Sequence, residues 1–130
     1  MIAPPLGADV TRVMLVDDHL DSLVSLGRLL RLLGYDVRAS LDGLDALSYA
    51  EEFRPDVALI DLSLPGLDGF AIARRLRYLD ATRETRLIAM TGWATKECEW
   101  RTREAGFDLH LVKPVSVKTL SDALSGAHCS

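Results

Sequence analysis

Asp17, Asp18, Asp61, Thr91 and Lys113 are the residues of this 130-residue chain whose types and placement could do chemistry together. Each follows a short apolar run: Asp17-Asp18 after Val13–Val16, Asp61 after Val57–Ile60, Thr91 after Leu87–Met90, and Lys113-Pro114 after Leu109–Val112. If the runs are strands of one parallel sheet, three carboxylates, one hydroxyl and one ammonium meet at its carboxyl edge. That edge is where open α/β sheets bind ligands. Singly, each residue has a bland explanation. A strand-end aspartate commonly caps the next helix, as Asp18 could; Thr91 before Gly92 fits turn chemistry; Lys113 could be a solvated charge. Five such placements on one edge are not what independent accidents produce.

Three carboxylates held together repel, and some would take up protons unless a cation intervenes. Oxygen ligands from carboxylates, a backbone carbonyl, water and a phosphate describe a magnesium site. No His or Cys is read among the ligands, which disfavours zinc.

The elements that must position these residues follow from apolar spacing. A further strand-like run, Val37–Ala39, ends in Ser40 and fits the sheet's periphery. Each run precedes a stretch with helical spacing. Leu23, Leu26, Leu30 and Leu33 form one face of a first helix, ended by Gly34 as a left-handed cap. Asp42 caps a second that buries Ala46, Leu47 and Ala50, and Asp68 caps a third carrying Phe70, Ala73 and Leu76. A fourth runs from about Thr95 to Ala105 before Gly106, with Cys98, Thr102 and Ala105 inward and Trp100 toward water. The fifth starts at Ser116 and buries Val117, Leu120 and Leu124. Five alternations of strand and helix call for an α/β fold, a parallel sheet with helices on both faces.

Bulk properties narrow the class. The length fits one domain, which buries about two thirds of its unfolded surface and needs no staple. Apolar residues make up 48% and charged residues 26%, a globular balance. The net charge of −4, with arginines spread along the chain, argues against a nucleic-acid footprint. No apolar stretch is long enough to cross a membrane, and Met1 to Asp9 lack a signal-peptide pattern. Cys98 and Cys129 form no metal or disulfide pattern and read as free thiols, in keeping with a cytoplasmic setting. There is no internal repeat or linker. Residues 1–10 read as an N-terminal extension, 11–126 as the domain and 127–130 as a tail.

The segments VMLVDDHLDSL, LDGLDAL, PDVALIDLSLPGLDGF, LIAMTGWA and AGFDLHLVKPV resemble, in order and spacing, the receiver domains of response regulators in two-component signalling. The resemblance runs from Thr11 to about Leu124. It implies a flavodoxin-like, CheY-like sheet of strand order 2-1-3-4-5 and a phosphorylation-dependent switch that catalyses its own phosphotransfer. By that resemblance Asp61 is the phosphoacceptor. Asp18 is a direct Mg2+ ligand, Asp17 acts mostly through water, and the Ser63 backbone carbonyl completes the protein's ligands. Lys113 neutralises a phosphoryl oxygen, Thr91 is the switch hydroxyl, and Lys113–Pro114 is a cis peptide. The implied donor is a histidine kinase or histidine phosphotransfer protein. The implied signalling surface is the fourth helix, fifth strand and fifth helix, with Trp93, Trp100 and His110 at its centre.

His110 departs from the family pattern, which places Tyr or Phe three before the lysine; an imidazole can also turn inward, and it titrates near neutral pH. By the same resemblance, Ser63 and Trp93 match positions that flank the phosphate in family members and tune its lifetime. Rival readings are weaker. A haloacid-dehalogenase-type phosphatase needs a second Asp two after the first-strand nucleophile, where this chain has His19. A flavodoxin-like cofactor carrier needs a phosphate-cradling loop there. A receiver that serves as a scaffold and is never phosphorylated sits poorly with an intact acidic site. The run GFDLHLVKPV is similar to receivers of hybrid histidine kinases, whereas the initial Met1 fits a freestanding regulator.

Overall fold

A computed structural model describes residues 10–62, 68–92 and 95–125. The elements are β1 (Arg12–Val16), α1 (Leu20–Leu32), β2 (Asp36–Ser40), α2 (Gly43–Phe53), β3 (Val57–Asp61), α3 (Gly69–Tyr78), a 3-10 turn (Asp80–Thr82), β4 (Arg86–Thr91), α4 (Lys96–Ala105), β5 (Leu109–Val112) and α5 (Val117–Ser125). The strands are all parallel, in the order β2-β1-β3-β4-β5.

Period-two alternation along the strands feeds two cores. Met14, Val16, Ala58, Ile60, Leu87 and Ala89 face one way, against Ala46, Ala50, Ile72, Ala73 and Leu76 of α2 and α3. Val13, Leu15, Val57, Leu59, Ile88 and Met90 face the other way, against Leu23 and Leu30 of α1 and Leu120 and Leu124 of α5. β3 is buried along its whole length, as a central strand covered on both faces must be.

Local signals set most of the helix ends. Asp42 Oδ1 accepts from Asp45 N–H at 2.7 Å and Asp68 Oδ1 from Ala71 N–H at 2.9 Å. Thr95 caps α4 through Cys98 N–H, and Ser116 receives Thr119 N–H before α5. α1 closes with Gly34 at φ +101°, where Tyr35 N–H reaches Leu30 O and Gly34 N–H reaches Arg31 O.

Two inward assignments are corrected. Leu33 is exposed, because α1 ends at Leu32 and the chain turns away from the sheet there. Val117, the first residue of α5, is also exposed, and Ala123 joins Leu120 and Leu124 in its place. Leu26 and Leu47 pack against the core while only partly buried. Among the described residues, no helix is long and apolar enough to cross a membrane.

Candidate phosphoacceptor and metal site

The chain leaves β1 for β2 on one side and returns to β3 on the other, so a crevice opens beyond the carboxyl ends of β1 and β3. Asp17 lies one residue past β1 and Asp61 ends β3; both are almost fully buried. Thr91 ends β4 and is buried as well. Its carbonyl accepts from Lys113 N–H at 2.7 Å, which fixes the start of the loop after β5. The Lys113–Pro114 peptide is cis.

That loop returns the Lys113 side chain across the crevice. Its Nζ lies 2.9 Å from Asp61 Oδ2 and 3.4 Å from Asp17 Oδ2. Burial alone would push the ammonium pKa down. The hydrogen bond and charge of Asp61, then those of Asp17, outweigh burial and hold it above the usual lysine value. Lys113 is thus a protonated partner for two buried carboxylates, not a solvated strand end.

Asp18 is not the helix cap; His19 takes that position with an extended backbone (φ −96°) and no side-chain cap bond. Asp17 Oδ1 instead accepts His19 N–H at 2.9 Å. Asp18 Oδ1 is buried and accepts no hydrogen bond. One donor atom from each of Asp17, Asp18, His19 and Asp61 fits within 4.8 Å of the others. Set against the single ammonium of Lys113, three carboxylates leave two negative charges, 3 − 1 = 2. An orphaned carboxylate oxygen beside that surplus is what a divalent cation relieves, so the residues fit magnesium.

One imidazole lies beside the carboxylates that the sequence reading picked out. His19 Nδ1 lies 3.1 Å from Asp18 Oδ1 and 3.3 Å from Asp17 Oδ1. Sequence reasoning passed over His19, although its place directly after the Asp pair was the signal that could have found it.

A close approach holds Asp61 in place. A Cβ on Gly69 would come 2.9 Å from both the Asp61 carbonyl oxygen and Leu62 Cα, so only glycine lets α3 start this near the end of β3.

His110 stands apart from the acidic group. It is half-buried on β5 with Nε2 4.0 Å from Cys98 Sγ of α4. Trp100 faces water, at 62% exposure. α4 fully buries only Thr102 and Ala105, with Cys98 partly covered, and Arg101 stacks over the Phe70 ring at 4.4 Å. Ser63 and Trp93 lie outside the described residues.

A parallel five-stranded sheet in this order, with an acidic crevice and a lysine closing over it, defines a CheY-like α/β switch fold. The model of the response regulator receiver domain matches residues 13–125, and the chain belongs to that family. It is 38% identical over 108 residues to the transcriptional regulatory protein PrrA of Mycobacterium leprae, covering 83% of this chain and 46% of that protein. The chain therefore spans about half the length of the PrrA relatives it matches. It is 35% identical to the polar-differentiation response regulator DivK of Brucella anthropi, over 81% of this chain and 85% of that one. Among solved structures it resembles the receiver domain of the sensor histidine kinase PA1611 of Pseudomonas aeruginosa, which has a magnesium ion coordinated in its active-site cleft. There the TM-score is 0.84 at 31% identity, covering 94% of this chain and 100% of that one. The chain is accordingly a phosphoacceptor domain of phosphorylation-dependent response-regulator signalling. That displaces the phosphatase and cofactor-carrier readings.

Proposed function

We propose that Asp61 receives the phosphoryl group from a phosphohistidine on a histidine kinase or phosphotransfer protein, and that this chain's own residues drive the transfer. An Asp61 carboxylate oxygen attacks phosphorus in line, the P–N bond of the donor breaks, and its electron pair leaves with the imidazole. The observation that carries the reading is the buried Asp61 carboxylate, held 2.9 Å from the Lys113 ammonium at the mouth of the crevice. Lys113 neutralises charge developing on the phosphoryl oxygens as a compact point charge. Asp17, Asp18 and Asp61, with the Ser63 backbone carbonyl, would hold magnesium. When bound, the ion supplies charge neutralisation on the oxygens in transfer.

Thr91, buried at the end of β4, is one backbone hydrogen bond from Lys113 and is the hydroxyl proposed to turn toward the phosphoryl group. The thin inward stripe of α4 makes that helix the element proposed to respond. The readout surface is α4, β5 and α5, where exposed Trp100 and the half-buried His110 lie; Trp93 is proposed as a further partner-contact residue. Residues 11–126 are proposed as the functional unit.

Incubation with acetyl phosphate and magnesium, followed by mass spectrometry, tests the assignment. One phosphoryl group should be added to the wild type and none to Asp61→Asn or to wild type in EDTA. Labelling that persists in the variant overturns the role of Asp61; labelling that persists in EDTA overturns that of the metal.

A further inference from the structure

His19 brings a nitrogen donor to a group otherwise built from carboxylate oxygens. Ligands about 2.1 Å from a first-row divalent ion are about 3.0 Å apart when adjacent in an octahedron and about 4.2 Å when opposite. The His19 Nδ1 distances of 3.1 Å to Asp18 Oδ1 and 3.3 Å to Asp17 Oδ1 match adjacent positions, while the four-residue group as a whole, within 4.8 Å, would have to draw in slightly around an ion.

The contacts of the ring nitrogen run to the two aspartates of the same group. The backbone of His19 does the local work, its N–H donating to Asp17 Oδ1 and its carbonyl accepting Leu23 N–H at the start of α1. The ring itself caps nothing and is 67% exposed, so it can turn onto an ion without disturbing the core. Nor does it compete with Lys113. Asp17 offers Oδ1 to His19 and Oδ2 to the ammonium, and Asp61 meets the ammonium through Oδ2. Asp18 Oδ1, buried and without a hydrogen bond, lies 3.1 Å from the ring nitrogen and is an oxygen that a cation would satisfy.

We propose that His19 is a ligand of the metal site and tunes its selectivity toward ions that favour imidazole, such as zinc. This rests on the reading of the acidic group as the metal site. Imidazole suits zinc, copper, iron and nickel, whereas magnesium prefers oxygen and keeps its waters, so the ring adds affinity for the former and little for the latter. The plain alternative is a surface imidazolium paired with two aspartates, which would contribute to no ion's affinity.

Isothermal titration of the full chain with Mg2+, Mn2+ or Zn2+ compares wild type with His19→Ala and Asp18→Asn. Loss of a ligand should weaken Zn2+ binding by about tenfold or more in His19→Ala, while Mg2+ binding stays within about twofold. Pulsed electron paramagnetic resonance of bound Mn2+ gives a direct readout. Nitrogen hyperfine coupling is expected in wild type and absent in His19→Ala. Equal Zn2+ affinities in those two proteins, or nitrogen coupling that survives the substitution, overturn the role of His19 and leave the oxygen site standing. Metal binding unchanged in Asp18→Asn places the ion elsewhere and overturns the site reading along with it.

Discussion

Lys113→Met keeps most of the side-chain stem and deletes the ammonium that lies 2.9 Å from Asp61 and 3.4 Å from Asp17. Both carboxylates are almost fully buried, at 2% and 1% exposure, so water replaces the lost partner only in part. Breaking a fully buried ion pair by removing one partner costs about 3–5 kcal/mol. The lysine side chain is 31% exposed, and solvent screening reduces the figure to about 2–3 kcal/mol. For a domain of this size that lowers Tm by roughly 8–12 °C. The assay is urea and thermal unfolding in EDTA, repeated in saturating magnesium, which should recover about half of the loss because a divalent ion neutralises the same carboxylates. The pH dependence adds a check. The folded-state pKa of Lys113 lies above its usual value, so the folded protein binds this proton more tightly than the unfolded chain does. Its contribution is complete below the ordinary lysine pKa and is lost as pH rises through the raised folded value. Wild type should therefore lose an alkaline increment of stability that Lys113→Met lacks. A variant as stable as wild type in EDTA, with the same alkaline profile, would refute the reasoning.

Gly69→Ala places a Cβ against the Asp61 carbonyl and Leu62 Cα; about 1–3 kcal/mol of stability should be lost, and phosphorylation by acetyl phosphate should slow. Urea midpoints and labelling rates check both effects, and an unchanged rate would mean that α3 yields without moving Asp61. Arg77 donates from Nε to Gly106 O, from Nη1 to Arg83 O and Thr85 O, and from Nη2 to Asp108, joining the far end of α3 to the turns before β4 and β5. Arg77→Met should cost about 2–3 kcal/mol, read by urea unfolding, with acetyl phosphate labelling of Asp61 retained. Beryllofluoride should change amide-exchange protection most between Gly92 and Val112; changes concentrated in α1 and α2 would place the readout on another face.

The local grammar of the fold was legible in the residues. All five strands were expected within one residue of their observed ends, because a buried parallel strand must be a short apolar run. Caps at Asp42, Asp68 and Gly34 were equally readable, since a cap depends on atoms three or four residues away. The strand-end placement of Asp17, Asp61, Thr91 and Lys113 followed from the same alternation, and it pointed to cation and phosphate chemistry before any tertiary contact was known.

Tertiary structure decided what depends on how the helices are turned and seated. Leu33 and Val117 have the right spacing yet face water, because the rotation and length of α1 and α5 against the sheet set the buried face, and spacing alone leaves both ends open. His19 meets the acidic pair only through the way the chain leaves β1, which brings its ring to 3.3 Å from Asp17 and 3.1 Å from Asp18. Lys113 reaches Asp61 across 52 residues, and Arg77 reaches Asp108 across 31. The identities of such pairs are written in the sequence, but which atoms meet is fixed by packing. Burial then sets their strength, since a charge pair held out of water interacts more strongly than the same two residues in an open chain.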